Sequence, residues 1–284
     1  MTPSFEAQVL TVFSKLVKEK RVYRQLKPVH WSIANQTALA EAELEYEDKE
    51  SPAIYVNFKS NNAEPLCKQL NIDVKPIYFT IWTPTPWTIP ANLAIAIHPQ
   101  YDYALVEHNN TYLVIEKNLV DTVSETINVS LKTKTVLNGT DLIGQTYDHP
   151  FMNRSGKIVS ATYVTLEDGT GLVHTAPGHG VDDYQTGLKE NLDLYCPVQA
   201  DGTYDDTVPS WIQGKLIWDA NPIIIDKLKE TQSLLYHYSF RHSYPHDWRS
   251  KTPVIFRSTE QWFVGVDTPT ESNKKTLRDI ALTA

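Results

Sequence analysis

Residues 84 to 90 hold three prolines, Pro84, Pro86 and Pro90, in a stretch of seven. Proline fixes φ and has no backbone N–H, so this stretch suits neither a helix interior nor a central strand. The run from Thr80 to Asn92 is therefore expected to be extended, rigid and poor in backbone donors. Threonine hydroxyls and tryptophan rings supply its side-chain chemistry. Rigid irregular backbone at a strand end can line a site; it can equally be a proline-rich edge loop shielding a sheet. The residues themselves leave both readings open.

The flanking sequence is mixed. Phe5, Val9, Val12, Phe13, Leu16 and Val17 keep helical spacing, with Thr2 placed to cap and Pro3 at the first helical position. Residues 34–44, rich in Ala and Glu, read as a second, shorter helix. After Ser51 short strands take over, the best of them at 54–58, 76–82, 93–97, 103–106 and 112–115. The last two are joined through Asn109 and Asn110, which tolerate positive φ. Residues 158–164 and 171–174 read as a strand pair around Glu167, Asp168 and Gly169. Helices resume at 181–191 and 221–231, the second opened by Pro222. The expected class is α+β, a β-barrel-like core with peripheral helices.

Composition narrows the function. The chain has 284 residues, 41% hydrophobic and 21% charged, which is enough for a core without staples. No stretch approaches the apolar length of a membrane span, and no signal-peptide core opens the chain. The two cysteines, Cys67 and Cys196, have no CxxC partner; this argues against a disulfide framework or thiolate zinc and fits a reducing cytosol. A net charge of −8 argues against indiscriminate nucleic-acid binding. Cations nevertheless gather at Lys15, Lys18, Lys20, Arg21, Arg24 and Lys27, and again at Arg241, His242, His246, Arg249, Lys251 and Arg257. Each group reads as a solvated face; together they suggest a polyanion near one side.

A second chemical segment runs from Gly169 to Tyr184. A strand ends at His174, and Pro177, Gly178 and Gly180 force a tight loop. Asp182 and Asp183 then open a helix, where acids complement the dipole. Asp182 reads as an ordinary N-cap. Asp183, one position on, is free to face the loop's concavity and capture a cation. His174, His179 and Asp183 could be a metal set, but their spacing is not that of a helical zinc motif. No metal and no cofactor is expected.

These segments carry a resemblance. Trp82-Thr83-Pro84-Thr85-Pro86-Trp87-Thr88-Ile89-Pro90-Ala91-Asn92 resembles the threonine-rich peptide of the isoleucyl-tRNA synthetase editing domain. Val173 to Gly180, followed by Asp182-Asp183-Tyr184, resembles that domain's second signature. Lys27 to Ser32 and Thr37 to Glu43 are similar to its leading segment, and Ser243 to Arg249 and Ser258 to Phe263 to its exit. Valyl and leucyl relatives carry an Arg-Pro pair where Pro86-Trp87 stands here. The His-Ile-Gly-His and Lys-Met-Ser-Lys-Ser signatures are absent, so the chain resembles the connective-peptide insertion apart from the ATP-binding domain. The resemblance implies leading helices and a connecting segment at 1–45, an editing core at 46–245 and an exit segment at 246–284.

It also implies an activity, hydrolysis of Val-tRNA(Ile), with valyl-adenylate as a second substrate, while isoleucine is excluded. One methylene is worth only about 1–3 kcal/mol in an apolar pocket, and isoleucine against valine in this very family is the standard example. A second, smaller site must therefore remove the error. By resemblance Asp183 holds the α-ammonium, Thr83 and Thr85 position the ester or water, and His174 gates the side-chain pocket. Trp82 and Asn92 are wall and support. The implied partners are the tRNA(Ile) acceptor end, misactivated valine esters and the rest of a parent synthetase, for a cytoplasmic monomer with no membrane contact. Pro84 stands where the family usually has its middle threonine, which leaves one hydroxyl and one N–H fewer. Two alternatives stay open, a catalytically silent tRNA-positioning module and a metal-dependent hydrolase.

Overall fold

The structure, a computed structural model, describes residues 2–269 and 274–284. Its first half contains α1 (Pro3–Lys18), β1 (Val22–Ser32), β2 (Thr37–Leu39), β3 (Leu44–Ser60), α2 (Ala63–Gln69), β4 (Ile77–Thr83), β5 (Ala94–Ile97), β6 (Asp102–His108), β7 (Thr111–Glu116), α3 (Val120–Ile127) and β8 (Lys132–Asn138). There follow α4 (Gly139–Leu142), β9 (Thr146–Asp148), β10 (Ser155–Ser160), β11 (Leu172–Thr175), α5 (Val181–Glu190), α6 (Ile217–Glu230), β12 (Leu234–Asp247), β13 (Val254–Val264) and α7 (Leu277–Thr283). The chain divides into two compact units, residues 28–257 and residues 1–27 with 258–284.

In the smaller unit α1 starts as its sequence predicts. Thr2 is the N-cap, accepting from the Phe5 N–H at 3.4 Å, and Pro3 is the first helical residue. Its apolar stripe is not buried: Phe5, Val9 and Val12 are all more than half exposed. Arg21 is buried and donates to the carbonyls of Gly265 and Thr268 at 3.2 and 3.0 Å. Arg24 pairs with Glu260, and Lys27 lies over the Phe263 ring. Half of the first basic cluster is thus engaged locally, whereas Lys15, Lys18 and Lys20 are exposed.

The larger unit is built on a ten-stranded sheet of order β11–β5–β10–β9–β3–β4–β7–β6–β8, with β12 on β3. Ile54, Val56 and Phe58 on β3 and Ile77, Phe79 and Ile81 on β4 alternate along their strands and are fully buried, which sets the inner face. β11, at one edge, packs back against β4 with no ladder between them. The barrel-like core is therefore a strongly curled sheet left open. Between β6 and β7, Asn109 and Asn110 take φ of 45° and 60°, the left-handed turn their residue types permit.

Three local expectations fail. Residues 34–44 are not a helix, because Thr37–Leu39 pairs with β1 and only Glu41–Glu43 makes a 3-10 turn. So short a run has little helical stability of its own, and the ladder satisfies its backbone instead. Residues 158–164 and 171–174 are not partners: β5 lies between β10 and β11, parallel to the first and antiparallel to the second. Finally, α6 starts at Ile217 with Pro222 inside it. Burial of Ile217, Ala220, Ile224 and Leu228 at helical spacing outweighs the one backbone bond that Pro222 forfeits.

Candidate active site

β4 ends at Thr83, and the proline-rich segment then coils into a 3-10 helix, Pro86–Ala91, with Pro86 at its start. It is extended only as far as Thr85, a correction to the expected extended run. The prolines remove ladder donors, and the backbone collapses into a tight turn braced from behind. The His149 Nε2–H donates to the Ile89 carbonyl at 2.9 Å, while its Nδ1 accepts from the Phe151 and Met152 N–H groups at 3.2 and 3.0 Å. Arg154 donates to the Pro90 carbonyl. Burial pushes His149 down to about 3, so this brace is neutral.

The front of the turn carries hydroxyls. Thr83 and Thr85 share one side, their Oγ1 atoms 3.0 Å apart, and the Thr85 N–H donates to Thr83 Oγ1 at 3.1 Å. Thr88, missed by sequence reasoning as a site residue, lies 3.4 Å from Thr85 Oγ1 and donates to the Thr85 carbonyl at 2.9 Å. The 3-10 turn brings it there. His174 Nε2 is 3.0 Å from Thr88 Oγ1, and His174 Nδ1 is 2.9 Å from Asn92 Nδ2. Burial pushes His174 down to about 3, helped by nearby His179 and Arg154.

The opposite wall begins where β11 ends. Gly180 is the N-cap of α5, so Asp182 is not the cap that its position suggested; it sits exposed at the second helical position. Asp183, one residue on, is half-buried and faces the cavity. Burial raises its carboxyl to about 7 and Asp182 adds to this, while the Ala176 N–H, His179 and Tyr163 oppose it. Consecutive helical residues diverge by about 100°, which is why two adjacent acids meet such different surroundings.

Trp82, Thr83, Thr85, His174 and Asp183 line one cavity of about 340 Å³, together with Thr88, Pro84, Tyr163, Asp168 and His179. Trp82 forms a wall, its indole N–H donating to the Tyr238 hydroxyl at 3.2 Å and its ring edge-on to Phe240. Asn92 does not line the cavity; it stands fully buried behind His174. Tyr163 and Asp168 come from the connection between β10 and β11, where no periodicity announces a site. Gly171 did offer a signal: it has φ of 75°, and a side chain there would fall 2.3 Å from Glu116 Cβ. Among the described residues no three His, Cys, Asp or Glu side chains converge as metal ligands. His174 spends both ring nitrogens on Thr88 and Asn92.

The second basic stretch is mostly occupied. Arg241 pairs with Asp48 at 2.8 Å, Lys251 pairs with Glu45, and Arg257 donates to the Val198 carbonyl at 2.8 Å.

Comparison with known proteins agrees with this geometry. The family described as tRNA synthetases class I (I, L, M and V) matches residues 1–284, and the chain belongs to that family. Within it, similar curated proteins include isoleucine–tRNA ligases. That of Fervidobacterium pennivorans is 45% identical over 267 residues and that of Petrotoga mobilis 46% over 268, each match covering 94% of this chain. The chain spans 28% of the length of each. Among solved structures, GlLeuRS-CP1 superposes with a TM-score of 0.52 at 14% identity, covering 65% of this chain and 99% of its own. The P. knowlesi cytosolic leucyl-tRNA synthetase editing domain gives 0.51 at 13%, covering 72% and 99%. The fold is thus that of the class I synthetase editing domain.

Proposed function

We propose that this chain is an aminoacyl-tRNA deacylase acting on Val-tRNA(Ile), and on valyl-adenylate, while rejecting isoleucine. The observation that carries this reading is one cavity with Asp183 on one wall and the linked hydroxyls of Thr83, Thr85 and Thr88 on the other. A free α-ammonium distinguishes an aminoacyl ester from other esters. Asp183 is the one carboxylate there at a helix start, and a charge-assisted bond to that ammonium is worth roughly 1.5–3 kcal/mol. Binding the ammonium also draws the Asp183 carboxyl back toward ionisation.

The hydroxyls of Thr83 and Thr85 then hold water against the ester carbonyl. Water adds to that carbon, the bond to the ribose oxygen breaks, and the ribose hydroxyl leaves with the proton. The ester is reactive, so positioning supplies much of the rate. Pro84 narrows the same wall without a hydroxyl. His174 and Trp82 bound the side-chain space and exclude the extra methylene. The reading places the editing core at 46–245, with tRNA(Ile), valine esters and the rest of a synthetase as partners of a cytoplasmic monomer. Among the described residues no helix is long and apolar enough to cross a membrane.

The test is single-turnover deacylation of Val-tRNA(Ile) and Ile-tRNA(Ile). The expected result is hydrolysis of the first and sparing of the second. Equal rates reject the sieve, and no hydrolysis of either favours the silent positioning module. Activity is expected to survive chelation.

A further inference from the structure

The hydrogen bonds behind His174 fix which nitrogen carries its proton. Asn92 Nδ2 donates to the Ala94 carbonyl at 2.9 Å, one of two bonds that orient the amide. Its Oδ1 therefore faces the Tyr147 hydroxyl, which donates to it at 2.7 Å. The same Nδ2 is 2.9 Å from His174 Nδ1 and can only donate, so Nδ1 presents a lone pair. A neutral imidazole accepting at Nδ1 holds its proton at Nε2, which faces Thr88 Oγ1 at 3.0 Å. The proton of Thr88 goes on to the Thr85 carbonyl.

Tyr147 stands at the head of this chain and has no other polar role. Its ring is fully buried and edge-on to Phe58 at 5.1 Å and Phe79 at 6.4 Å, packing that phenylalanine would serve as well. Its hydroxyl has been desolvated to meet Asn92. Room for it comes from its ladder partner on β10, Gly156: a side chain there would lie 2.3 Å from Tyr147 Cζ and Oη.

We propose that Tyr147 and Gly156 are positioning residues of the deacylation site, holding Asn92 so that His174 is a permanent Nε2–H donor to Thr88 and never a base. Without the lock, His174 could turn a lone pair toward Thr88, reversing the hydroxyl order that runs to Thr85. The role in catalysis rests on the function proposed above; the tautomer lock does not.

The experiment separates the two. Nitrogen-15 NMR of the histidine side chains in the whole chain should show His174 as the Nε2–H tautomer, without titration from pH 5 to 8. Observation of the Nδ1–H tautomer, or of titration near 6.5, overturns the proposal. In Tyr147→Phe a mixture of tautomers is expected, with kcat for Val-tRNA(Ile) falling about tenfold, the equivalent of one lost hydrogen bond, and KM little changed. Gly156→Ala, which displaces the phenol tip, should reproduce the mixture. A wild-type tautomer in both variants overturns the lock. An altered tautomer with unchanged kcat overturns the positioning role. If wild type deacylates nothing, the proposed function fails while the spectra still decide the lock.

Discussion

A side chain on Gly180 would lie 2.5 Å from Asp183 Oδ2, so the carboxylate occupies the space that only this glycine leaves open. The φ of Gly180 is −156°, ordinary extended backbone, and the glycine is needed for space alone. Gly180→Ala is therefore expected to push the carboxylate aside and leave the fold intact. The measurement is Val-tRNA(Ile) deacylation beside a melting curve: a loss of about tenfold or more with an unchanged Tm. Retained activity would mean that the carboxylate position does not matter.

Asp183→Ala is expected to abolish deacylation, because an ammonium would then be left unpaired in a partly desolvated pocket. Asp182→Ala, exposed and outside the cavity, should be mild. A dead Asp182 variant with a working Asp183 variant would overturn the assignment.

The raised carboxyl of Asp183 has a sign that can be read in stability. Unfolded, it titrates at about 3.9; folded, at about 7. Between these values the native state holds a proton that the unfolded chain releases, so stability falls as pH rises through that window. Asp183→Asn removes this loss. Its Tm relative to wild type should climb from pH 4 to pH 8, an improvement obtained together with a loss of editing. A flat difference would refute the raised value.

Asp247 behaves oppositely. It is fully buried, and burial alone would raise its carboxyl. The Ser32 hydroxyl at 2.6 Å, the Arg249 N–H at 2.8 Å, the Asn35 amide at 2.6 Å and the Ser250 hydroxyl at 3.0 Å outweigh that and hold it well below the usual range. Its contribution is present above about pH 4 and is lost as pH falls. Asp247→Asn should cost about 2 kcal/mol at pH 7, with the gap to wild type narrowing in acid. Denaturant melts at both pH values check it.

Of the first basic cluster, Lys15, Lys18 and Lys20 are the exposed members. If they meet an RNA backbone, replacing all three by Gln should lower the salt slope of tRNA binding by roughly 0.7–0.9 for each phosphate left without its cation. An unchanged slope assigns them to a solvated helix face.

Much of the candidate site's lining was legible because its two signatures are local. Thr83 and Thr85 are two residues apart, and Gly180 and Asp183 sit within one turn. What escaped was set by strand pairing. The Ala- and Glu-rich composition of 34–44 hides the short hairpin that pairs Thr37 with Ser32, and residue 160 does not reveal that β5, far earlier in the chain, separates its strand from β11. Tyr147 escaped for the same reason, since its partner Asn92 is distant in the chain and a lone tyrosine in a short strand reads as core. The barrel-like core was legible, but β11 returns to β4 by packing rather than by a ladder, a detail alternation cannot foresee.

The place of β5 between β10 and β11 bears on how the molecule is made. Its four residues emerge immediately after the proline-rich turn, yet both neighbours come much later, at Ser155–Ser160 and Leu172–Thr175. Joining segments so distant costs chain entropy before any pairing rewards it, so these ladders are slow to form. Neither half of the pocket can reach its working shape during synthesis until residues beyond Thr175 are available. In pulse-labelled hydrogen exchange during refolding, the amides of β5 are expected to gain protection after those of the β6–β7 hairpin, so the cavity is expected to close late in folding.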